Sequence, residues 1–363
     1  MPIRILHIVT YMGRGGLETM LMNYYRSIDR TRIQFDFLTH RDFEADYDAE
    51  ILAMGGRIYR LPNLNPFSRT YLSALDRFFG EHPEYRIVHS HLDCMSAVPL
   101  KYAKKHGVPV RIAHAHNSNQ PRDAKYLLKL FYKRRIARQA TALFACSEEA
   151  GRWMFGGADF RVLNNAINSR KYTFDAAVRG EVRRELDLPE NTTVVGHVGR
   201  FDPQKNHSFL IRIFEKMPGD TRLLLVGDGV LRDSAEQLAR ELGIRDRILF
   251  AGVRSDVDRL LQAMDVFLFP SLFEGLPVSI IEAQAAGLPC LISDKVPIEC
   301  KKTDLVTQLP LAAAPETWAE AVLSAAQTRR SDTHLQLCAA GFDIQANAEW
   351  LANYYLTLHR NEA

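Results

Sequence analysis

Short apolar runs recur along the chain, most followed by polar or glycine-rich residues and then by a stretch with helical apolar spacing. In the first half the runs are residues 3–9, 33–38, 57–61, 87–89, 110–113 and 142–145; in the second they are 193–198, 222–226, 248–251, 266–269 and 289–293. Runs without strict alternation predict strands buried on both faces of a parallel sheet, and the helical stretches between most of them predict βαβ crossovers. The fold class is therefore α/β with doubly wound parallel sheet. Ligands of such sheets bind outside the carboxyl ends of the strands, so the residues just after each run are where chemistry is expected.

Three of those ends carry suitable residues. In residues 265–294 a buried strand enters a tight turn, a helix opens at Pro277, Gly287 stops it and a second buried strand follows. Proline suits a first helical position because it gives up only an N–H that would be unpaired, leaving the neighbouring amides to face an anion. Glu274 lies in the turn and Glu282 in the helix, and carboxylates beside exposed amides suit a ligand carrying both hydroxyls and phosphates. At residues 199–207, Arg200 and Lys205 flank Pro203 between a strand and a helix that carries Phe209, Leu210, Ile213 and Phe214, a candidate diphosphate clamp. The first strand runs into Gly13-Arg14-Gly15-Gly16-Leu17-Glu18, where backbone amides can approach a phosphate. The spacing is not G-x-G-x-x-G, which disfavours a nicotinamide dehydrogenase.

Composition narrows the class. At 363 residues the chain is long enough for two domains, and 47% hydrophobic with 25% charged residues is globular usage. A net charge of +3 gives no case for nucleic acid. Cys94, Cys146, Cys290, Cys300 and Cys338 are scattered, odd in number and form no C-x-x-C pair, which fits a reducing cytoplasm better than a disulfide framework or zinc site. The N-terminal apolar run is too short for a signal sequence, and no run reaches the roughly 18 residues of a spanning helix, so any membrane contact is expected to be peripheral.

The E-x7-E segment from Glu274 to Glu282, the G-R-x-x-x-x-K-N of residues 199–206 and the Gly15-Gly16-x-Glu18 turn resemble retaining glycosyltransferases of family 4, in particular an exopolysaccharide and capsule subgroup. The resemblance implies the GT-B fold: two Rossmann-like domains facing across a cleft, with a C-terminal helix crossing back to the first. It places an acceptor-binding domain at residues 1–168, a nucleotide-sugar domain at 169–340, and the bracing helix in 341–363. It implies sugar transfer from a nucleotide-sugar, uridine diphosphate being the favoured carrier, to a glycan or lipid-linked acceptor. No metal and no cofactor are implied. Arg200 and Lys205 would hold the diphosphate, Glu274 the transferred sugar and Glu282 the ribose. Gly15, Gly16, Gly275, Leu276 and Val278 would lie along the donor, with Val253 and Arg254 beside the base. The stretch after Asp294 departs from the common family pattern, which has an acidic glycine-rich loop there. A nucleotide-sugar epimerase on the same architecture and a non-catalytic assembly scaffold are the alternatives.

Histidines also mark two strand ends, His89-Ser90-His91 and His114-Ala115-His116. Alternate residues of a strand share a face, but both pairs fall where a strand is ending and no carboxylate or cysteine cluster adjoins them, so a metal site is not expected. The resemblance implies a first-domain histidine near the transferred sugar; His116 is the favoured match and His114 the competing one. Asp46-Tyr47-Asp48 mimics a metal-binding D-x-D motif, yet its charged surroundings predict solvated surface. Residues 124–139 form a basic amphipathic helix with Lys125, Lys129, Lys133, Arg134, Arg135 and Arg138, suited either to packing with a solvated face or to peripheral contact with an anionic inner membrane, at its cytoplasmic face.

Overall fold

The computed structural model describes residues 2–119 and 126–361. Two compact units emerge. One runs to Ala166 and takes the chain up again at Ile344; the other spans Ile167–Asp343.

The first unit is built on β1 (Ile3–Ile8), β2 (Ile33–Thr39), β3 (Ile58–Arg60), β4 (Ile87–Ser90), β5 (Val110–Ala115), β6 (Ala142–Ala145) and β7 (Arg161–Val162). All are parallel, in the order β3-β2-β1-β4-β5-β6-β7. Ile5, Leu6, Ile8, Phe35 and Phe37 are wholly buried, as apolar runs without alternation require. The C-terminal helix Ile344–Asn361 packs within this unit: the Tyr355 hydroxyl lies 2.6 Å from His89 Nδ1, and Arg32 Nη2 donates to Asn353 Oδ1 at 2.9 Å.

The second unit contains β8 (Val194–Val198), β9 (Arg222–Val226), β10 (Ile248–Gly252), β11 (Val266–Phe269), β12 (Cys290–Ser293) and β13 (Val306–Leu309), again parallel, in the order β10-β9-β8-β11-β12-β13. Val195, Leu223, Val266, Leu291 and Trp318 share its core. The edge strand β13 is not legible in the sequence, because only Val306 of its four residues is buried.

In both sheets the strand order reverses direction at one place, between β1 and β4 and between β8 and β11. At such a switch point the loops on either side diverge and leave a crevice at the strands' carboxyl ends. The glycine turn follows β1 and His91 follows β4; Lys205 follows β8 and Glu274 follows β11.

Two sequence expectations are corrected. Asp48 is not solvated: it is buried, with Oδ2 2.5 Å from Arg60 Nη2 and accepting the Ala45 amide at 3.1 Å. Tyr47 is buried too, so Asp46 alone fits the expected surface. The basic stretch is also not one helix. Tyr126–Lys133 and Ile136–Gln139 are separated by a turn in which the Arg135 amide donates to the Tyr132 carbonyl at 2.9 Å; Ala124 and Lys125 lie outside the described residues.

Candidate active site

The strand ends after β8 and β11 are tied together by side chains. Lys205 Nζ lies 2.7 Å from Glu274 Oε1, and Gln204 Nε2 donates to Glu274 Oε2 at 3.0 Å. Asn206 Nδ2 donates to the Pro270 carbonyl at 3.2 Å, and the Leu272 amide to the Gln204 carbonyl at 2.8 Å. The local fold that presents Lys205 follows from its neighbours: Asp202 Oδ1 accepts the Lys205 amide at 3.2 Å, and Asn206 adopts the left-handed conformation that starts helix His207–Glu215. Asparagine tolerates that region because its short side chain bonds locally. The Lys205 ammonium also lies 4.6 Å from the Phe269 ring centroid. Arg200 is exposed in the same turn.

The adjoining end of β9 leaves this turn room by having no side chain at Gly227. Its φ is +134°, and a Cβ there would come within 2.1 Å of the Gly199 carbonyl oxygen, so only glycine fits.

Pro277 takes the capping position in place of the expected first helical one: its ψ of 120° is extended and the helix runs Val278–Ala285. No side chain caps the start. Among the described residues, its first amides are therefore without the usual capping oxygen. Glu274, Leu276, Val278 and Glu282 are all buried, and Gly275 lies between the first two. Glu282 Oε1 accepts a hydrogen bond from the Tyr172 hydroxyl at 2.7 Å, while burial pushes its carboxyl above the ordinary range. At the end of β10, Val253 is half exposed and Arg254 forms a two-bond pair with Asp256 at 2.8 and 2.6 Å. The structure thus brings Arg200, Lys205, Glu274 and Glu282 into one unit.

In the first unit Gly15 is extended and precedes helix Gly16–Ser27, whose start has no side-chain cap. A Cβ on Gly16 would meet nothing within 4 Å, so neither crowding nor its backbone requires glycine there.

The histidine pairs share faces, which their positions at strand ends leave open in the sequence. The His89 and His91 rings stack at 4.3 Å and the His114 and His116 rings lie tilted at 4.1 Å, because β5 extends to Ala115 and the His91 amide still donates to the Ile8 carbonyl beyond the end of β4. His7 on β1 joins them. Its Nδ1 lies 3.0 Å from His91 Nε2, and His91 Nδ1 lies 3.0 Å from His116 Nε2. Burial pushes His7 and His116 down to about 3 and His91 well below its ordinary value, so all three rings are neutral. Asp93 Oδ1 accepts the His116 amide and Oδ2 the Asn117 side chain, both at 2.8 Å. His114 is 1% exposed within β5, whereas His116 is partly exposed just beyond it.

Ring nitrogens of His7, His89 and His91, and of His91, His114 and His116, lie within 4.8 Å of one another, close enough to be ligands. Both sets need His91, whose two nitrogens already face histidine nitrogens, so a metal at either set would displace at least one of those hydrogen bonds.

Sequence reasoning missed Gln204, Tyr172, Asp93 and His7. Gln204 lies inside the motif already singled out and could have been weighed with Lys205; the other three carry no local signal.

Two family models match the chain: "glycosyl transferase 4-like domain" over residues 15–160 and "glycosyl transferases group 1" over residues 178–335. The putative glycosyltransferase EpsF of Bacillus subtilis is 36% identical over 97% of this chain and 96% of its own. A UDP-Gal:α-D-GlcNAc-diphosphoundecaprenol α-1,3-galactosyltransferase of Escherichia coli is 29% identical over 58% of each chain. Among solved structures, Anabaena HepE in complex with UDP and glucose superposes with a TM-score of 0.77 at 18% identity, covering 99% of this chain and 100% of that one. That likeness gives the fold, two parallel-sheet units of the GT-B type.

Proposed function

The chain belongs to the family 4 glycosyltransferases of exopolysaccharide type, with the GT-B fold, and from that premise we propose a retaining, metal-independent transfer of sugar from a uridine diphosphate sugar to a glycan or lipid-linked hydroxyl. The observation that carries this reading is the Lys205–Glu274 contact, which sets a cation and a carboxylate side by side at a switch point, beside uncapped helix amides. That pairing suits a ligand in which a sugar is joined to a diphosphate.

In this reading the bond from the anomeric carbon to the diphosphate breaks while a bond to the acceptor oxygen forms on the same face. The acceptor's proton passes to the departing diphosphate. Arg200, Lys205 and the amides at the start of helix Val278–Ala285 stabilise the charge that develops on the leaving group, an electrostatic task needing no metal, while Gly275, Leu276 and Val278 lie along the donor. Glu274 holds the transferred sugar and Glu282 the ribose, with Val253 and Arg254 beside the base. From the first unit, Gly15, Gly16 and His116 serve the diphosphate, the acceptor and the sugar. The first unit takes the acceptor and the second the nucleotide. The name of the Escherichia coli relative, with its UDP-Gal donor and diphosphoundecaprenol acceptor, supports both the carrier and a lipid-linked acceptor.

A lipid-linked acceptor calls for contact with a membrane. Among the described residues no helix is long and apolar enough to cross one. Leu127 is 77% and Phe131 46% exposed beside exposed Arg134, Arg135 and Arg138, a combination suited to the headgroup region of the inner membrane's cytoplasmic face.

The test is a thermal-shift panel of UDP-, GDP- and ADP-sugars with and without chelator, on wild type and Lys205→Ala, followed by transfer assays with the product anomer read by NMR. A donor that binds the native state stabilises it by mass action. Stabilisation by UDP-sugars in chelator, lost in Lys205→Ala, with product of the donor's own anomeric configuration, is the expected result. Donor conversion without acceptor would indicate an epimerase, and no shift with any nucleotide would return the scaffold alternative.

A further inference from the structure

The three hydrogen-bonded histidines of the first unit form a chain with two ends, and only one end is partly exposed. A neutral imidazole has one N–H and one bare nitrogen. With all three rings neutral, the two contacts can be made in only two ways. In one, His7 Nδ1–H donates to His91 Nε2 and His91 Nδ1–H donates to His116 Nε2, leaving a proton on His116 Nδ1. In the other every proton is reversed: His116 Nε2–H donates to His91, His91 donates to His7, and His7 Nε2 must carry a proton.

The buried end decides between them. His7 is 1% exposed, and its Nε2 has no hydrogen-bond partner among the described residues. Phe35, His89 and Phe37 pack on the ring at centroid distances of 4.2, 5.4 and 5.7 Å; the phenyl rings offer no lone pair, and the His89 ring is stacked face to face and makes no hydrogen bond to His7 Nε2. A buried N–H without an acceptor is rarer in folded proteins than an under-used acceptor, so the bare nitrogen belongs at His7 Nε2. No residue along the chain can change tautomer alone, because His91 bonds a histidine at each nitrogen.

We propose that His7 and His91 are positioning residues that fix His116 as its Nδ1–H tautomer, so that it presents a hydrogen-bond donor to a sugar hydroxyl oxygen. This rests on the reading of His116 as a sugar contact. It assigns the ring a donating role and excludes it as a base toward the substrate in its resting form.

The experiment is long-range proton–nitrogen NMR of the full chain with labelled histidine, which reads the tautomer of His116 directly, the His116→Ala spectrum giving the assignment. The expected spectrum has His116 protonated at Nδ1 and bare at Nε2; a proton on Nε2 would overturn the proposal. His7→Leu removes the outer donor and should leave His116 a mixture of tautomers, with kcat reduced about 5–10-fold and KM within about twofold. His7→Asn sets an amide N–H near the position of Nδ1 and should restore both tautomer and rate, which a merely structural role for His7 would not produce. His7→Leu with an unchanged His116 tautomer also counts against the chain. Full transfer activity in His116→Ala would instead remove the sugar-contact reading, while leaving the wild-type tautomer to be read from its spectrum.

Discussion

Lys205 Nζ sits 2.7 Å from Glu274 Oε1, joining the loops that follow β8 and β11. An ammonium has three N–H donors, so the one given to Glu274 leaves two for phosphate oxygens, and the carboxylate fixes where they are held. Lys205→Ala should therefore lower kcat by about 10²–10³-fold, the usual effect of deleting one preorganised electrostatic contact. It also leaves a buried carboxylate with Gln204 among its remaining partners, at a cost of about 1–3 kcal/mol in urea unfolding. Lys205→Ala/Glu274→Ala should recover much of that stability and none of the activity. Recovery of transfer in the double variant would mean that the pair serves the fold alone.

Gly16 separates ligand contact from folding in the opposite way. Since a Cβ there meets nothing within 4 Å, Gly16→Ala should fold normally and gain up to about 0.5–1 kcal/mol from better helix propensity. If the turn lies against a diphosphate or acceptor, the methyl group fills that space and transfer falls at least about tenfold. A variant with wild-type kcat/KM would show that the turn stands clear of substrate.

His7 and His91 show where reading along the chain stops. Glu274, Arg200 and Lys205 were legible because each lies in a strand-end loop whose chemistry is local, and Glu282 because it stands eight residues beyond Glu274 in the helix that the same loop opens. The His7–His91 contact depends on β1 and β4 being neighbours, with His7 opposite His89 in register, and periodicity gives strands without giving their order. Asp48 was misread for a related reason: its partner, Arg60, lies beyond the next helix and strand start. Tyr172 belongs to a short helix with no pattern of its own, and its hydroxyl reaches Glu282 only through tertiary packing.

Glu282 makes the stability of the second unit depend on pH. Burial raises its carboxyl above the ordinary 4.5, and the Tyr172 hydroxyl works against that rise by bonding the ionised form. A raised folded pKa means the folded state holds the proton more tightly than the unfolded chain. The stability this group contributes is then full below the ordinary carboxylate pKa and is lost as pH rises through the folded value. Tyr172→Phe removes the opposing bond and should steepen that loss as pH rises above the ordinary carboxylate range in urea unfolding. In Glu282→Gln the same hydroxyl no longer faces a titrating group, so adding Tyr172→Phe should leave the pH slope unchanged. Parallel curves for wild type and Tyr172→Phe would remove Glu282 as the source.

The basic helices give the last prediction, and the structure changes which residues should be replaced. Lys133 is an unsuitable probe because its ammonium lies 4.1 Å from the Trp153 ring centroid and is partly buried, so reversing it would disturb packing. Arg134, Arg135 and Arg138 are exposed, and the ring contact that Arg135 makes, 3.6 Å over Phe131, is with a side chain that is itself 46% exposed, so reversing it disturbs no core packing. Each basic residue near an anionic surface is worth about 1 kcal/mol, so reversing all three to glutamate should weaken binding to phosphatidylserine vesicles at least about 100-fold. Leu127→Ser should weaken it further by removing an apolar anchor, while transfer to a water-soluble acceptor stays near wild type. Vesicle sedimentation at low and raised ionic strength is the measurement, since a charge-driven contact weakens with salt. Equal sedimentation of wild type and triple variant would place any membrane contact elsewhere on the protein.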